Sequence, residues 1–289
     1  MTFEYAGEFR TDQFSNEGRV AAPADIAVGP EGDLFILDFV NGCVWRLSHE
    51  GELKTTLELG EDTRLSRPST LAVSRDGEVY VADYVNHAVF RFNPQNELID
   101  CWNAADGGHV DFVGVHAVAV SPEGIVYVTK LRRSSEDSVS FFSRQGFFLG
   151  ELYSGGVWPE RFECPDDVAV AGDGTVCVVD RFKGLIQRFT PDGAFLGQSR
   201  LPGAYTRYRV LNVAVSSQGE VFVACPDFDQ ILRYGSDGTY LGSFGSKGTG
   251  PGFFDGVRSV AVAPSGLVYV IDIYNRRIQY FEPVYTSDQ

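Results

Sequence analysis

The chain has 289 residues, a net charge of −15 and 13% aromatic residues. So acidic a chain repels nucleic acid and anionic membranes at long range. No apolar run approaches the ~20 residues that span a bilayer, so membrane insertion is not expected. The first residues, Met1-Thr2-Phe3-Glu4-Tyr5, carry charge where a secretion signal would be apolar. The five cysteines are odd in number and form no C-x-x-C pair. That usage points to a reducing compartment, and a cytoplasmic location is the expectation.

In chain order, the first predicted element is a strand over residues 2–10, whose role emerges only from the far end of the chain. The next elements form a unit. Asp25 to Val28 reads as a short strand, Gly29 to Gly32 as a turn, and Asp33 to Leu37 as a second strand. A loop, Asp38 to Gly42, leads to a third strand, Cys43 to Leu47, and after a turn to a fourth, Leu53 to Leu59. Short links between apolar runs predict antiparallel hairpins. Runs such as Phe35-Ile36-Leu37 do not alternate with polar residues, which marks strands buried on both faces.

The unit recurs. The pattern aliphatic-Ala-Val-x-x-x-Gly begins at Ile26, Leu71, Val118, Val168, Val213 and Val260. Its glycines, Gly32, Gly77, Gly124, Gly174, Gly219 and Gly266, fall 45, 47, 50, 45 and 47 residues apart. A period of this size predicts a propeller of six four-stranded blades, an all-β fold forming one domain over residues 1–289. The alanine suits the crowded region near the axis. The glycine suits a turn residue at positive φ. The last unit stops after its third strand, Arg277 to Phe281. Tyr5-Ala6-Gly7-Glu8-Phe9 resembles the fourth strands Phe148-Leu149-Gly150-Glu151-Leu152 and Tyr240-Leu241-Gly242-Ser243-Phe244. Residues 2–10 are therefore expected to complete the last blade and close the ring.

The longer pattern is Pro-x-x-aliphatic-Ala-Val, Gly, an apolar strand ending in Asp, and x-x-Asn. It is clearest from Pro68 to Phe92, with Asp83 and Asn86, and from Val257 to Phe281, with Asp272 and Asn275. It resembles the NHL-repeat family. The resemblance implies a six-bladed propeller and leaves the activity open. Members bind proteins, bind RNA, or act as lyases at the channel mouth, and related propellers include lactonase-like hydrolases. Amidating lyases of this kind hold zinc through several histidines. Here only His116 is placed at the mouth, with His87 nearby, so zinc chemistry is not expected.

Function is sought where the repeat is broken. Second strands end in Asp38, Asp83, Asp180 and Asp272, which are expected to accept backbone N–H groups of the next turn. Unit three has Lys130 there and a loop longer by three residues, and unit five has Cys225. The loops after the second strands share a face with the segments entering the first strands. That face is expected to gather Lys130, Arg132, Arg133, Arg181, Phe182, Arg258, Tyr84 and Tyr274 for contact with a partner, aromatic and arginine residues being typical of interfaces. Phe39 and Phe228 join it. Asp25, His116, Asp167 and Asn212 are expected at the channel mouth. Asp25, Asp166 and Asp167 would have raised pKa values if clustered, although neighbours on an extended strand point apart.

No P-loop, dinucleotide fingerprint or G-x-S-x-G is present. Asp106-x-x-His109-x-Asp111 reads as a turn rather than a metal site. The reading is a non-enzymatic scaffold or accessory subunit that binds another protein, with no catalytic residue, metal ligand or cofactor assigned. The alternatives are a metal-dependent lyase or lactonase-like hydrolase, with a divalent cation in the channel, and a binder of single-stranded RNA on the same face.

Overall fold

The structure is a computed structural model that describes residues 1–11, 20–57, 65–103, 112–131, 137–152, 162–202 and 212–284. These residues form 24 strands in six sheets of four antiparallel strands, with no helix among them. Blades one to five run in chain order, each starting with its innermost strand. Those inner strands are Pro23–Val28, Pro68–Val73, Val115–Val120, Pro165–Val170 and Asn212–Val215. Blade six starts with Val257–Val262 and continues through Val268–Asp272 to Arg277–Val284. Its outer strand is Thr2–Arg10, paired antiparallel with Arg277–Val284 from Thr2 opposite Val284 to Arg10 opposite Arg277. The ring is thus closed by the N-terminal strand.

Six apolar clusters hold the ring, one at each junction between blades. At the junction of blades six and one, Ile26 and Ile36 pack with Tyr269 and Ile271. Ala27, the next residue along, packs into the junction of blades one and two. Second strands are therefore covered on both faces, and all five residues of Leu34–Asp38 and of Val79–Asp83 are buried. Their side chains alternate between two interfaces instead of between core and water, which is why the sequence shows no polar alternation.

The repeated glycine has φ of 82–91° in all six hairpins, from Gly77 and Gly219 to Gly266. A side chain is strained in that region, so the turn selects glycine. The terminal Asp of the second strand ties the turn beyond it. Asp38 accepts from the backbone N–H groups of Ala21, Ala22, Val40 and Asn41, and from the Trp45 indole at 3.2 Å. Asp83 repeats the arrangement with Ser66, Arg67, Val85 and Asn86. Each of these carboxylates joins the start of the inner strand to the loop after the second strand, and so fixes one face of the molecule.

Candidate functional site

The inner strands surround a channel of about 180 Å³, lined by the aliphatic-Ala-Val segments of all six blades, with Asp25, Asp167 and Asn212 at one end. Pairing of inner and second strands shifts register near the start of five inner strands: at Pro23/Asp25, Pro68/Thr70, Val115/Ala117, Pro165/Asp167 and Val257/Val260. A bulge suspends strict alternation and re-aims the side chains beside it. Two belts of side chains result.

The deeper belt is the residue before each aliphatic-Ala-Val. Asp25 accepts from Leu71 N at 2.8 Å, Thr70 from Val118 N at 2.9 Å, and Asp167 from Val213 N at 2.7 Å. Asn212 accepts from Val260 N at 2.8 Å, and Ser259 from Ile26 N at 3.3 Å. Each acceptor serves a backbone N–H of the following blade, which an inner strand cannot satisfy within its own sheet. Ala117 is the exception, since alanine has no acceptor. The Asn212 amide also donates to Asp25 at 3.2 Å and Asp167 at 3.0 Å, and Ser259 Oγ donates to Asp25 at 2.6 Å.

Burial pushes the Asp25 carboxyl up to about 6, against the hydrogen bonds from Ser259, Leu71 and Ile26 that favour the anion. Burial, reinforced by the charge of Asp25, lifts Asp167 well above the ordinary carboxylate range. Asn212, Ser259 and backbone N–H groups of the following blades donate to this pair. The belt is thus a clasp between blades.

The upper belt is the bulged residue itself. Ser69 donates to the carbonyl of His116, His116 Nδ1 pairs with the carbonyl of Asp166 at 2.7 Å, and Arg258 Nε donates to the carbonyl of Ala24 at 3.2 Å. Each bond again runs to the next blade. A carbonyl only accepts, so the proton of neutral His116 sits on Nδ1, and Nε2 keeps its lone pair with no partner among the described residues. Burial lowers the pKa of this imidazole against the raising effect of Asp166, which favours the neutral form. Asp166 is 2% exposed and lies 3.1 Å from Arg181 Nε. Neither Asp166 Oδ2 nor Arg181 Nε makes an aligned hydrogen bond. Burial raises the Asp166 pKa in spite of His116 and Arg181.

The expected contact residues are distributed differently. Phe182 and Tyr274 are 58% and 74% exposed, with Phe39, Val40, Val85 and Phe228 also exposed in loops of the same face. Arg181 stacks over Phe182 at 5.2 Å, and Arg67 over the half-buried Tyr84 at 5.6 Å. Lys130 is not part of this surface: it is 1% exposed and pairs with Glu151 at 2.7 Å inside blade three. Glu151 also accepts from Ser140, so a local ion pair replaces the turn-capping Asp of other blades. Arg132 and Arg133 lie outside the described residues, as do Asp106, His109 and Asp111. Cys225 is buried and its thiol is pushed up to about 11, far from a reactive thiolate. Ser259 and Cys164, whose sulfur receives Arg181 Nη2 at 3.2 Å, were not anticipated from sequence. Ser259 shares the position of Asp25 and Asn212 before the repeat. Cys164 carried no such signal.

Fold and repeat together define the class: a six-bladed propeller with an NHL repeat, whose family model matches residues 65–92. A search of curated protein sequences found no match. Among solved structures, the chain is similar to a streptogramin B lyase with a TM-score of 0.66 and 13% identity, over 97% of each chain. It is similar to virginiamycin B lyase from Staphylococcus aureus with a TM-score of 0.65 and 11% identity, over 98% of this chain and 100% of that one. Hydrazine synthase of Kuenenia stuttgartiensis gives a TM-score of 0.64 and 12% identity, over 91% and 96%. At these identities the likeness is one of fold.

Proposed function

We propose that this propeller is a binding platform for another protein, engaged through the face that carries Phe39, Phe182, Phe228 and Tyr274. The observation behind this reading is the exposure of large apolar side chains in the loops of several blades, on a scaffold pinned by the Asp38 and Asp83 turn networks. Aromatic residues on a rigid frame lose little side-chain entropy on contact, and they dominate binding energy at interfaces. The Arg181–Phe182 stack adds a cation to one of them. Affinity purification from the native host with the wild type and with a Phe182→Ala, Tyr274→Ala variant tests the reading. A partner recovered in stoichiometric amount should be lost or weakened about tenfold or more in the variant. Equal recovery with both proteins would place binding elsewhere.

A second reading, an enzyme at the channel mouth, is favoured by the His116 tautomer, which leaves Nε2 as an acceptor on a neutral imidazole in a partly buried setting. The lyases of similar fold give it a first substrate class to try, and a histidine-to-alanine variant of one of them is described as catalytically inactive, with quinupristin. Incubation with quinupristin followed by chromatography, alongside a His116→Asn control and elemental analysis for a divalent metal, tests this reading. Unchanged quinupristin would count against that substrate.

A further inference from the structure

Arginines meet different surroundings on the two faces of the ring. On the face that carries the hairpins between inner and second strands, Arg46 pairs with Asp33 at 2.8 Å, Arg91 with Glu78 at 2.7 Å, Arg144 with Asp76 at 2.7 Å and Arg233 with Glu220 at 2.7 Å. On the opposite face Arg67 and Arg276 are exposed, and neither guanidinium forms an ion pair or hydrogen bond among the described residues. The acids beside them are turned inward. Asp38, Asp83 and Asp272 are fully buried and spend their oxygens on the turns, while Asp272 also holds Arg277 at 2.8 Å.

Arg67 and Arg276 flank one apolar centre. Blade one stands between blades six and two, and its loop exposes Phe39 and Val40. On one side, Val20, at the entry to blade one, packs in the same cluster as Ile273 of the Arg276 loop, and Phe39 N donates to the Ala22 carbonyl at 3.0 Å. On the other, Gly42 ends the Phe39 loop so close to the chain leading to Arg67 that a Cβ on it would lie 3.0 Å from the Leu65 carbonyl oxygen. The loops of three successive blades thus make one surface. Tyr274 and Arg276 lie at one end, Phe39 and Val40 in the middle, and Tyr84 with Arg67 stacked over it at 5.6 Å at the other.

We infer that this surface takes an acidic segment of a partner protein, with an apolar side chain against Phe39 and Val40 and carboxylates on Arg67 and Arg276. The inference rests on the platform reading and adds the chemistry of the partner. An exposed guanidinium fork matches a carboxylate in two parallel hydrogen bonds, and uncompensated charge around an apolar centre is answered by the opposite charge across an interface. A nucleic acid suits the surface less well. The net charge of −15 opposes a long polyanion, and Arg67 already covers the Tyr84 ring on which a base would stack. A short acidic segment feels chiefly the charges within about 8 Å, the Debye length at physiological salt.

Short random peptides displayed on phage and panned on the intact protein are the probe, and the enriched sequences are then measured by fluorescence anisotropy. They should carry several Asp or Glu around an aromatic or large aliphatic residue, and bind more weakly as salt is raised. Arg67→Gln and Arg276→Gln together should weaken them about tenfold or more. Arg75→Gln, an exposed arginine on the opposite face, should leave them nearly unchanged. The consensus is read on the wild type and stands whether or not the variants fold. A basic or uncharged consensus, no enrichment, or equal binding by wild type and the double arginine variant overturns the inference. So does tighter binding of single-stranded oligouridylate than of any selected peptide. Peptides without acidic residues that are lost in Phe182→Ala, Tyr274→Ala would overturn the acidic partner and leave the platform standing.

Discussion

Asp25 and Asp167 belong to blades on opposite sides of the ring and are joined by one amide, that of Asn212, at 3.2 and 3.0 Å. Two buried carboxyls thus share a donor at the axis, and each also holds a backbone N–H of the next blade. This crossing makes the stability of the ring depend on protonation.

The Asp25 pKa rises from 3.8 to about 6 on folding. A raised carboxyl pKa means the folded state holds the proton more tightly. The corresponding stability is complete below about pH 4 and is lost as pH rises through about 6, a change on the order of 3 kcal/mol. Asp167 shifts in the same direction. Urea unfolding between pH 4 and 7 should therefore show a falling contribution from this pair, in a range above that where Glu78, held down to about 2 by Arg144, Arg91 and Tyr80 in spite of its burial, gains most of its own stabilisation. Asp25→Asn should remove part of the fall. An identical pH profile for wild type and variant would show that Asp25 ionises as freely in the fold as out of it.

Thr70 is the acceptor that links blade two to Val118 of blade three. Thr70→Val keeps the shape and removes the hydroxyl, leaving that N–H unsatisfied, at a cost of about 1–3 kcal/mol. Thr70→Ser should recover most of it. Chemical denaturation of the three proteins at one pH distinguishes a lost acceptor from a packing change, which the serine variant would also suffer.

Removal of residues 1–10 strips blade six of its outer strand. It also deletes the Glu8 partner of Arg277 at 2.7 Å and the Phe3 ring that meets Phe222 and Phe244 at 5.4 and 5.5 Å. The truncated protein should melt at a lower temperature and scatter light at concentrations where the intact chain stays clear, because the exposed strand edge pairs with other chains. Calorimetry and light scattering make the comparison. An unchanged melting temperature would mean the strand contributes nothing to closure.

The five cysteines form no disulfide, and all but Cys101 are buried. Burial pushes the Cys164 and Cys177 thiols up to about 12. A chromogenic thiol reagent should therefore modify Cys101 first in the native protein, and all five only after unfolding, as read by peptide mass mapping. Rapid native modification of Cys164 would contradict its packing against Arg181 and Asp166.

The ring was legible because its determinants are local and repeated. A positive-φ glycine and a small inner-strand residue recur at one spacing, and the outer-strand glycine of Gly150 and Gly242 reappears as Gly7. The positions of Asp25, Asp167 and Asn212 followed from the same alignment. The bulge did not. It lets Asp167 reach Asn212 of the next blade while Asp166 meets Arg181 of its own blade. The burial of Lys130 was hidden for a different reason: its counter-ion, Glu151, is 21 residues away on the outer strand of its blade, and nothing near Lys130 in sequence announces it.

Thr2 lies opposite Val284 in the sheet of blade six. During synthesis the first strand therefore emerges long before the strand it must join. Five blades can assemble while it waits, and the sixth cannot be completed until residue 284 has left the ribosome. The contact of greatest sequence separation is also the one that finishes the molecule. Loop-closure entropy then makes this late step slow, and an open ring on the ribosome is the form in which the chain is most exposed to aggregation.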